Sequence, residues 1–240
     1  MGDDCSFWQT RFSEFGWAAV NAGSSESIGR WDNWLRQVAL RRLGFVPRGK
    51  ILDVGTGTGY WAEKFARTGA FVTGIDFCRP PLKVAQTRCQ SLGEKIAWVC
   101  GDVAELPFKA GSFDAVVSVM CLQHITSHER QQRAVQALVD CLKPGGHMVL
   151  IEGVHPRSNR RYIRTRPFNS WVEVCSSAGA KLVRACVVDV LKYRRWVPHG
   201  ITAIVNSVLS RVVLFRPWAR SMAMLFVRPK GGETLTMLVE

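Results

Sequence analysis

The sequence predicts an α/β fold: a mostly parallel sheet of seven strands, the last antiparallel, with helices on both faces. Three observations predict it. Short apolar runs alternate with helix-like segments of ten to fifteen residues from Lys50 to Glu152, the pattern of βαβ units. The runs are near-continuously apolar rather than alternating, as strands buried on both faces are. Glycines and prolines punctuate the segments at their ends.

Element by element, residues from about 5 to 47 read as helices, with Trp31, Trp34, Leu35, Val38, Ala39 and Leu43 at helical spacing and Gly44 as the stop. Lys50–Val54 is the first strand, and Tyr60–Thr68 a helix closed by Gly69. Ala70–Ile75 is the second strand, and Pro81–Leu92 a helix closed by Gly93. Ile96–Cys100 and Phe113–Met120 are the third and fourth strands. His128–Cys141 is a helix ended by a turn at Lys143-Pro144-Gly145-Gly146, and His147–Glu152 is the fifth strand. A helix at Phe168–Ser177 precedes a sixth strand at Lys181–Val190, and Met222–Val227 is the seventh. Before it, Ile201, Ile204, Val205, Val208, Leu209, Val212 and Val213 recur at i, i+3, i+4, i+7, the signature of an amphipathic helix from about Ile201 to Phe215.

The length of 240 residues suits a single domain. No apolar run approaches the roughly 18 residues that span a bilayer. Met1–Thr10 carries Asp3 and Asp4 and lacks the basic start and apolar core of a signal peptide, so the expected location is cytoplasmic. The eight cysteines form no C-x-x-C pair and have no histidines at zinc-ligand spacing; small buried thiols are expected, and no metal. The net charge of +13 is uneven: His155–Lys230 holds 15 Lys/Arg against Glu173 and Asp189, and the remainder, with 17 bases and 17 acids, is neutral. That local field admits a nucleic acid, an anionic membrane surface or an anionic small substrate as partner.

Asp53-Val54-Gly55-Thr56-Gly57-Thr58-Gly59 lies between a strand and a helix. Glycines let a backbone turn tightly and approach a ligand, and the helix start favours anionic groups. A dinucleotide fingerprint requires G-x-G-x-x-G, but position 60 is Tyr. The stretch instead resembles motif I of class I S-adenosylmethionine-dependent methyltransferases, and the family's other motifs follow in order. They are Gly74-Ile75-Asp76, Gly101-Asp102-Val103, Ser112–Ser118 and Leu142–Gly146. Leu106-Pro107-Phe108 and Leu122-Gln123-His124 resemble the branch that contains quinone and other small-molecule methyltransferases.

The resemblance implies a Rossmann-like domain with S-adenosyl-L-methionine as cofactor. It implies a cofactor site of Asp53, Gly55, Thr56, Gly57, Gly59, Asp76, Phe77, Asp102, Val103, Val119 and Met120. Asp76 would accept from the ribose hydroxyls, and Asp102 with the Val103 amide would hold the adenine. Residues 1–47 would form a helical lid, 50–152 the cofactor-binding core, and 153–230 a basic substrate cap with the last strands. The protein in this class holds donor and acceptor in line, and a general base is needed only when the acceptor loses a proton. His124, Glu152 and His155, past the ends of the fourth and fifth strands, are the catalytic candidates. Trp17, Arg30, Arg157, Arg161 and Arg164 are the substrate-binding candidates.

The substrate expectation rests on charge. Five arginines crowd positions 157–166, and the apolar helix beyond Ile201 follows them. A cationic rim beside an apolar wall suits an anionic amphiphile, phosphorylated or prenylated, or a natural-product intermediate. Alternatively, that helix packs on the core and the arginines are solvated or touch anionic lipid. Two other functions stay open: methylation of a macromolecule (a protein N-terminus or RNA) and a non-catalytic Rossmann-type binding module. Against nucleic acid, no Asn/Asp-Pro-Pro-aromatic signature follows the fourth strand, where Ser118-Val119-Met120-Cys121 stands.

Overall fold

A computed structural model describes residues 2–15, 26–155, 163–190, 198–211, 219–230 and 238–239. Two helices, α1 (Gly2–Phe15) and α2 (Glu26–Arg42), precede the sheet. The alternation then runs β1 (Lys50–Val54), α3 (Tyr60–Arg67), β2 (Phe71–Asp76), α4 (Arg79–Arg88), β3 (Ile96–Cys100), β4 (Phe113–Val119), α5 (His128–Cys141) and β5 (Leu142–Gly153). It ends with α6 (Phe168–Ser177), β6 (Lys181–Asp189), α7 (His199–Leu209), β7 (Ser221–Val227) and β8 (Leu238–Val239).

The sheet order is β3-β2-β1-β4-β5-β7-β6-β8. Strands β1 to β5 pair in parallel, β7 runs antiparallel to both β5 and β6, and β8 adds two residues parallel to β6. The α/β expectation therefore stands, with a short edge strand that the sequence did not announce. The helix expected to reach Leu92 ends at Arg88 and continues as a 3₁₀ segment, Gln90–Lys95, kinked at Gly93. The turn expected at Lys143–Gly146 lies inside β5, where Gly145 N–H donates to the Arg228 carbonyl at 2.7 Å.

Successive residues of the central strands feed two separate cores, as the pleat requires. Val116, Met148 and Leu150 join Leu138, Trp171 and Phe226 on one face, and Val117, Val149 and Ile151 join Leu43, Phe65 and Ala203 on the other. Burial on both sides explains why these strands read as continuous apolar runs. Strand order reverses between β1 and β4, so the loops after these strands diverge there and open a crevice at the carboxyl rim.

Candidate active site

The turn after β1 is braced from below. Asp53 is buried in β1, and its carboxylate accepts the Thr56 hydroxyl at 2.6 Å. Burial pushes its pKa up to about 7, against the lowering effect of that bond. The Thr56 amide donates to the Ile75 carbonyl at 3.0 Å, tying the turn to β2. Gly55 has φ 65°, and a Cβ there would lie 2.4 Å from the Cys121 sulfur. Only glycine therefore lets this turn meet the turn that follows β4.

Asp76 ends β2 and faces the crevice. Its carboxylate accepts from the Gly57 and Cys78 amides, each at 2.9 Å. Burial raises its pKa, and these amides work against the rise. Each oxygen keeps a further lone pair with which to receive a ligand hydroxyl. Asp102, beyond β3, accepts from the Ala104 amide at 2.9 Å and is ion-paired with Arg130 of α5.

The turn after β4 is the most constrained part of the rim. Met120 has φ 56°, a left-handed conformation that costs a non-glycine residue about 1 kcal/mol or more. Its amide donates to the Ile151 carbonyl at 2.7 Å. Glu152, fully buried in β5, takes four donors: the Ser118 hydroxyl and the amides of Cys121, Leu122 and Gln123. Burial pushes its pKa up to about 7, against the lowering effect of those bonds. Behind it, Gln131 donates to the Leu122 carbonyl at 2.8 Å and accepts from the buried Arg166 guanidinium. This framework places His124 at the crevice with its ring edge-on to Trp8 of α1, centroids 4.7 Å apart.

The crevice is one cavity of about 630 Å³, within the range of small-molecule sites. Of the residues the sequence singled out, it brings together Gly55, Thr56, Gly57, Asp76, Phe77, Asp102, Val103, Val119, Met120, His124 and Arg30. Five others stand off it. Asp53 braces the turn from beneath, and Gly59 makes room for Trp98 and Ala85 where α3 packs. Glu152, expected as a catalytic group, has its oxygens committed to the β4 turn and acts by positioning it. His155 also lies outside the lining, with its carbonyl accepting the Thr165 hydroxyl at 2.6 Å. Arg164 does not reach the cavity; its guanidinium donates to the Thr126 carbonyl at 3.0 Å, because its own backbone is pinned to Gln123. Trp17, Arg157 and Arg161 lie outside the described residues.

The apolar stripe of α7, expected as the substrate wall, contributes nothing to the cavity lining. Trp8 and Phe12 of α1 line the cavity. Sequence reasoning missed Asn33 and Arg36 of α2, Tyr60 of α3, Cys121 and Arg130. Two signals were present: Arg30, Asn33, Arg36 and Gln37 form a polar stripe at helical spacing, and Arg130 sits in the first turn of α5. Burial pushes the Cys121 thiol well up, and the nearby Glu152 carboxyl adds to this, so it remains a neutral thiol.

The residues fit S-adenosylmethionine on their own chemistry. The glycine turn leaves backbone exposed, two carboxylates stand at the ends of adjacent strands, and Val103 offers apolar contact beside the second. Comparisons with known proteins agree. Residues 51–146 match the family described as "Methyltransferase domain". The demethylmenaquinone methyltransferase of Tropheryma whipplei is 39% identical over 122 residues, 51% of this chain and 49% of its own. The ubiquinone biosynthesis O-methyltransferase of Chromobacterium violaceum is 40% identical over 119 residues, 47% of this chain and 50% of its own. The chain thus spans about half the length of the curated relatives it matches. In fold it resembles the 1,6-didemethyltoxoflavin N1-methyltransferase of Burkholderia thailandensis, solved with its substrate and S-adenosylhomocysteine: TM-score 0.64, 17% identity, 93% of this chain and 88% of that one.

Proposed function

We propose, from the match of residues 51–146 to a methyltransferase domain, that the chain is an S-adenosylmethionine-dependent methyltransferase and methylates a small, quinone-like or related biosynthetic intermediate. The observation that carries this reading is the single cavity joining the β1, β2, β3 and β4 loops to aromatic and cationic side chains of α1 and α2. The bound cofactor would supply the methyl group from its sulfonium. Asp76 and the amides beyond Gly55 are suited to the ribose and the charged tail, and Asp102 with Val103 to the adenine.

The acceptor belongs on the side walled by Trp8, Phe12, His124 and Arg30. Aromatic side chains there suit a flat apolar ring and keep water from the reacting atoms. His124 is the one imidazole in the lining, and it is our candidate for a general base if the acceptor is a hydroxyl or an amine. Arg36, Arg88 and Arg130 each have an acid within reach: Asp32 at 3.8 Å, Glu63 at 2.8 Å, and Asp102. Among the described residues Arg30 meets none. We therefore assign Arg30 to an anionic group on the acceptor.

The experiment is calorimetry with S-adenosylmethionine, S-adenosylhomocysteine and NAD, then methyl-transfer assays on quinols and phenols with and without acidic groups, with tRNA as a further acceptor. Binding of the sulfonium ligand and turnover on an acidic ring compound is the expected result. Turnover on tRNA alone, or NAD binding without sulfonium binding, would overturn the reading. A preference for uncharged acceptors would remove the role given to Arg30.

A further inference from the structure

Helix α7 packs the opposite way round from its composition. Its buried residues are Thr202, Ala203, Asn206 and Ser207, while Ile201, Ile204, Val205 and Val208 are 54%, 56%, 38% and 58% exposed. Positions 201, 204, 205 and 208 make one stripe along the helix, so the exposure is a continuous apolar ridge rather than scattered residues.

Specific contacts set this orientation. Gly200 lies against Trp31 of α2, with room for no Cβ beyond 2.8 Å from the ring. The Asn206 side-chain carbonyl accepts from the Val190 amide at 2.9 Å, and Arg42 donates to the Ser210 hydroxyl and carbonyl at 3.0 and 3.1 Å. Turning the ridge inward would bury four branched side chains where small polar ones fit and would break these bonds. An apolar ridge that the fold holds outward marks a contact surface.

Charge identifies the occupant. From Val190 to Arg220 the sequence has Lys192, Arg194, Arg195, Arg211, Arg216 and Arg220 and no acid, with Tyr193, Trp196, Phe215 and Trp218 interspersed; Arg220 pairs with Asp189 at 3.5 Å, and Arg211, just past the end of α7, is exposed. A second copy of this chain would set these cations against their own kind. An anionic lipid surface complements both features: the ridge suits the acyl boundary, and a chain that is cation-rich on both sides of α7 suits anionic headgroups. Among the described residues no helix is long and apolar enough to cross a membrane, which leaves contact in the plane of the surface.

We propose that α7 docks this protein on an anionic lipid bilayer through Ile201, Ile204, Val205 and Val208. This goes beyond the methyltransferase reading and does not depend on it.

The test is co-sedimentation of the full chain with phosphatidylcholine vesicles, with and without phosphatidylglycerol, and no methyl donor present. Wild type should pellet with the anionic vesicles and leave them as salt is raised. Ile204→Ser/Val208→Ser should lower the partition coefficient about tenfold or more, since each residue loses apolar burial. The variant's thermal unfolding and S-adenosylhomocysteine affinity should be unchanged, because both positions are exposed. Three results would overturn the proposal: no binding of wild type to anionic vesicles, equal binding of the double variant, or a dimer in light scattering that the double variant dissociates.

Discussion

The carboxylate of Glu152, in β5, accepts the hydroxyl of Ser118, in β4, at 2.9 Å, and both side chains are fully buried. The same carboxylate takes three backbone amides of the turn that carries His124, so one side chain connects two central strands to the rim of the cavity.

Removing that acceptor should cost stability before it costs chemistry. Glu152→Ala leaves buried donors unmatched, each worth about 1 to 3 kcal/mol. We expect a loss of about 3 kcal/mol or more in urea unfolding. A loss well under 1 kcal/mol would mean that water reaches these donors.

The pH dependence has a defined sign. Glu152 moves from 4.5 to about 7 on folding, so the folded state binds its proton more tightly than the unfolded state. Its contribution is full below the ordinary glutamate range and is lost as pH rises to about 7. Asp53, raised from 3.8 to about 7, acts in the same direction, whereas Glu63 and Asp114 are lowered and oppose it. The clean readout is a difference: Glu152→Gln should flatten the fall in urea midpoint between about pH 5 and pH 8 relative to wild type. Parallel curves for the two proteins would contradict the shift.

Gly55→Ala combines a left-handed backbone with a Cβ 2.4 Å from the Cys121 sulfur. Strain of this kind costs about 1 to 3 kcal/mol. Thermal unfolding should shift downward, and calorimetric affinity for S-adenosylhomocysteine should fall. Cys121→Gly in the same chain should recover only the part due to the clash.

Asp76→Ala removes an acceptor that lies in the cavity and leaves the Gly57 and Cys78 amides without theirs. Charge-assisted bonds are worth roughly 1.5 to 3 kcal/mol, so S-adenosylmethionine affinity should weaken by about one to two powers of ten. Isothermal calorimetry decides it.

Trp8 and His124 meet edge to face, which links α1 to the β4 turn. His124→Ala should lower kcat with cofactor affinity intact, whereas Trp8→Ala should raise KM for the acceptor and loosen α1 in hydrogen exchange. If His124→Ala changes KM alone, its imidazole orients the acceptor and takes no proton.

How far the sequence could be read depended on range. The boundaries of β1, β3, α5 and α6 were legible because apolar period, caps and glycine stops are properties of neighbouring residues. So was part of the cavity lining: Gly55, Gly57, Asp76 and Asp102 all lie within a few residues of a strand's end, where the parallel sheet brings loops together whatever the side chains elsewhere. The long-range pairings around the cavity were not legible in this way. Arg130 reaches Asp102 across 28 positions and Glu152 reaches the β4 turn across about 30, and no local pattern encodes either pairing. The same holds for α7. Its sequence determined that it would be an amphipathic helix, but which face met the protein was decided by Trp31, Arg42 and Val190. Those contacts exist only once the chain has folded, and they favour the small polar face over the apolar one because only the former fits the space beside α2.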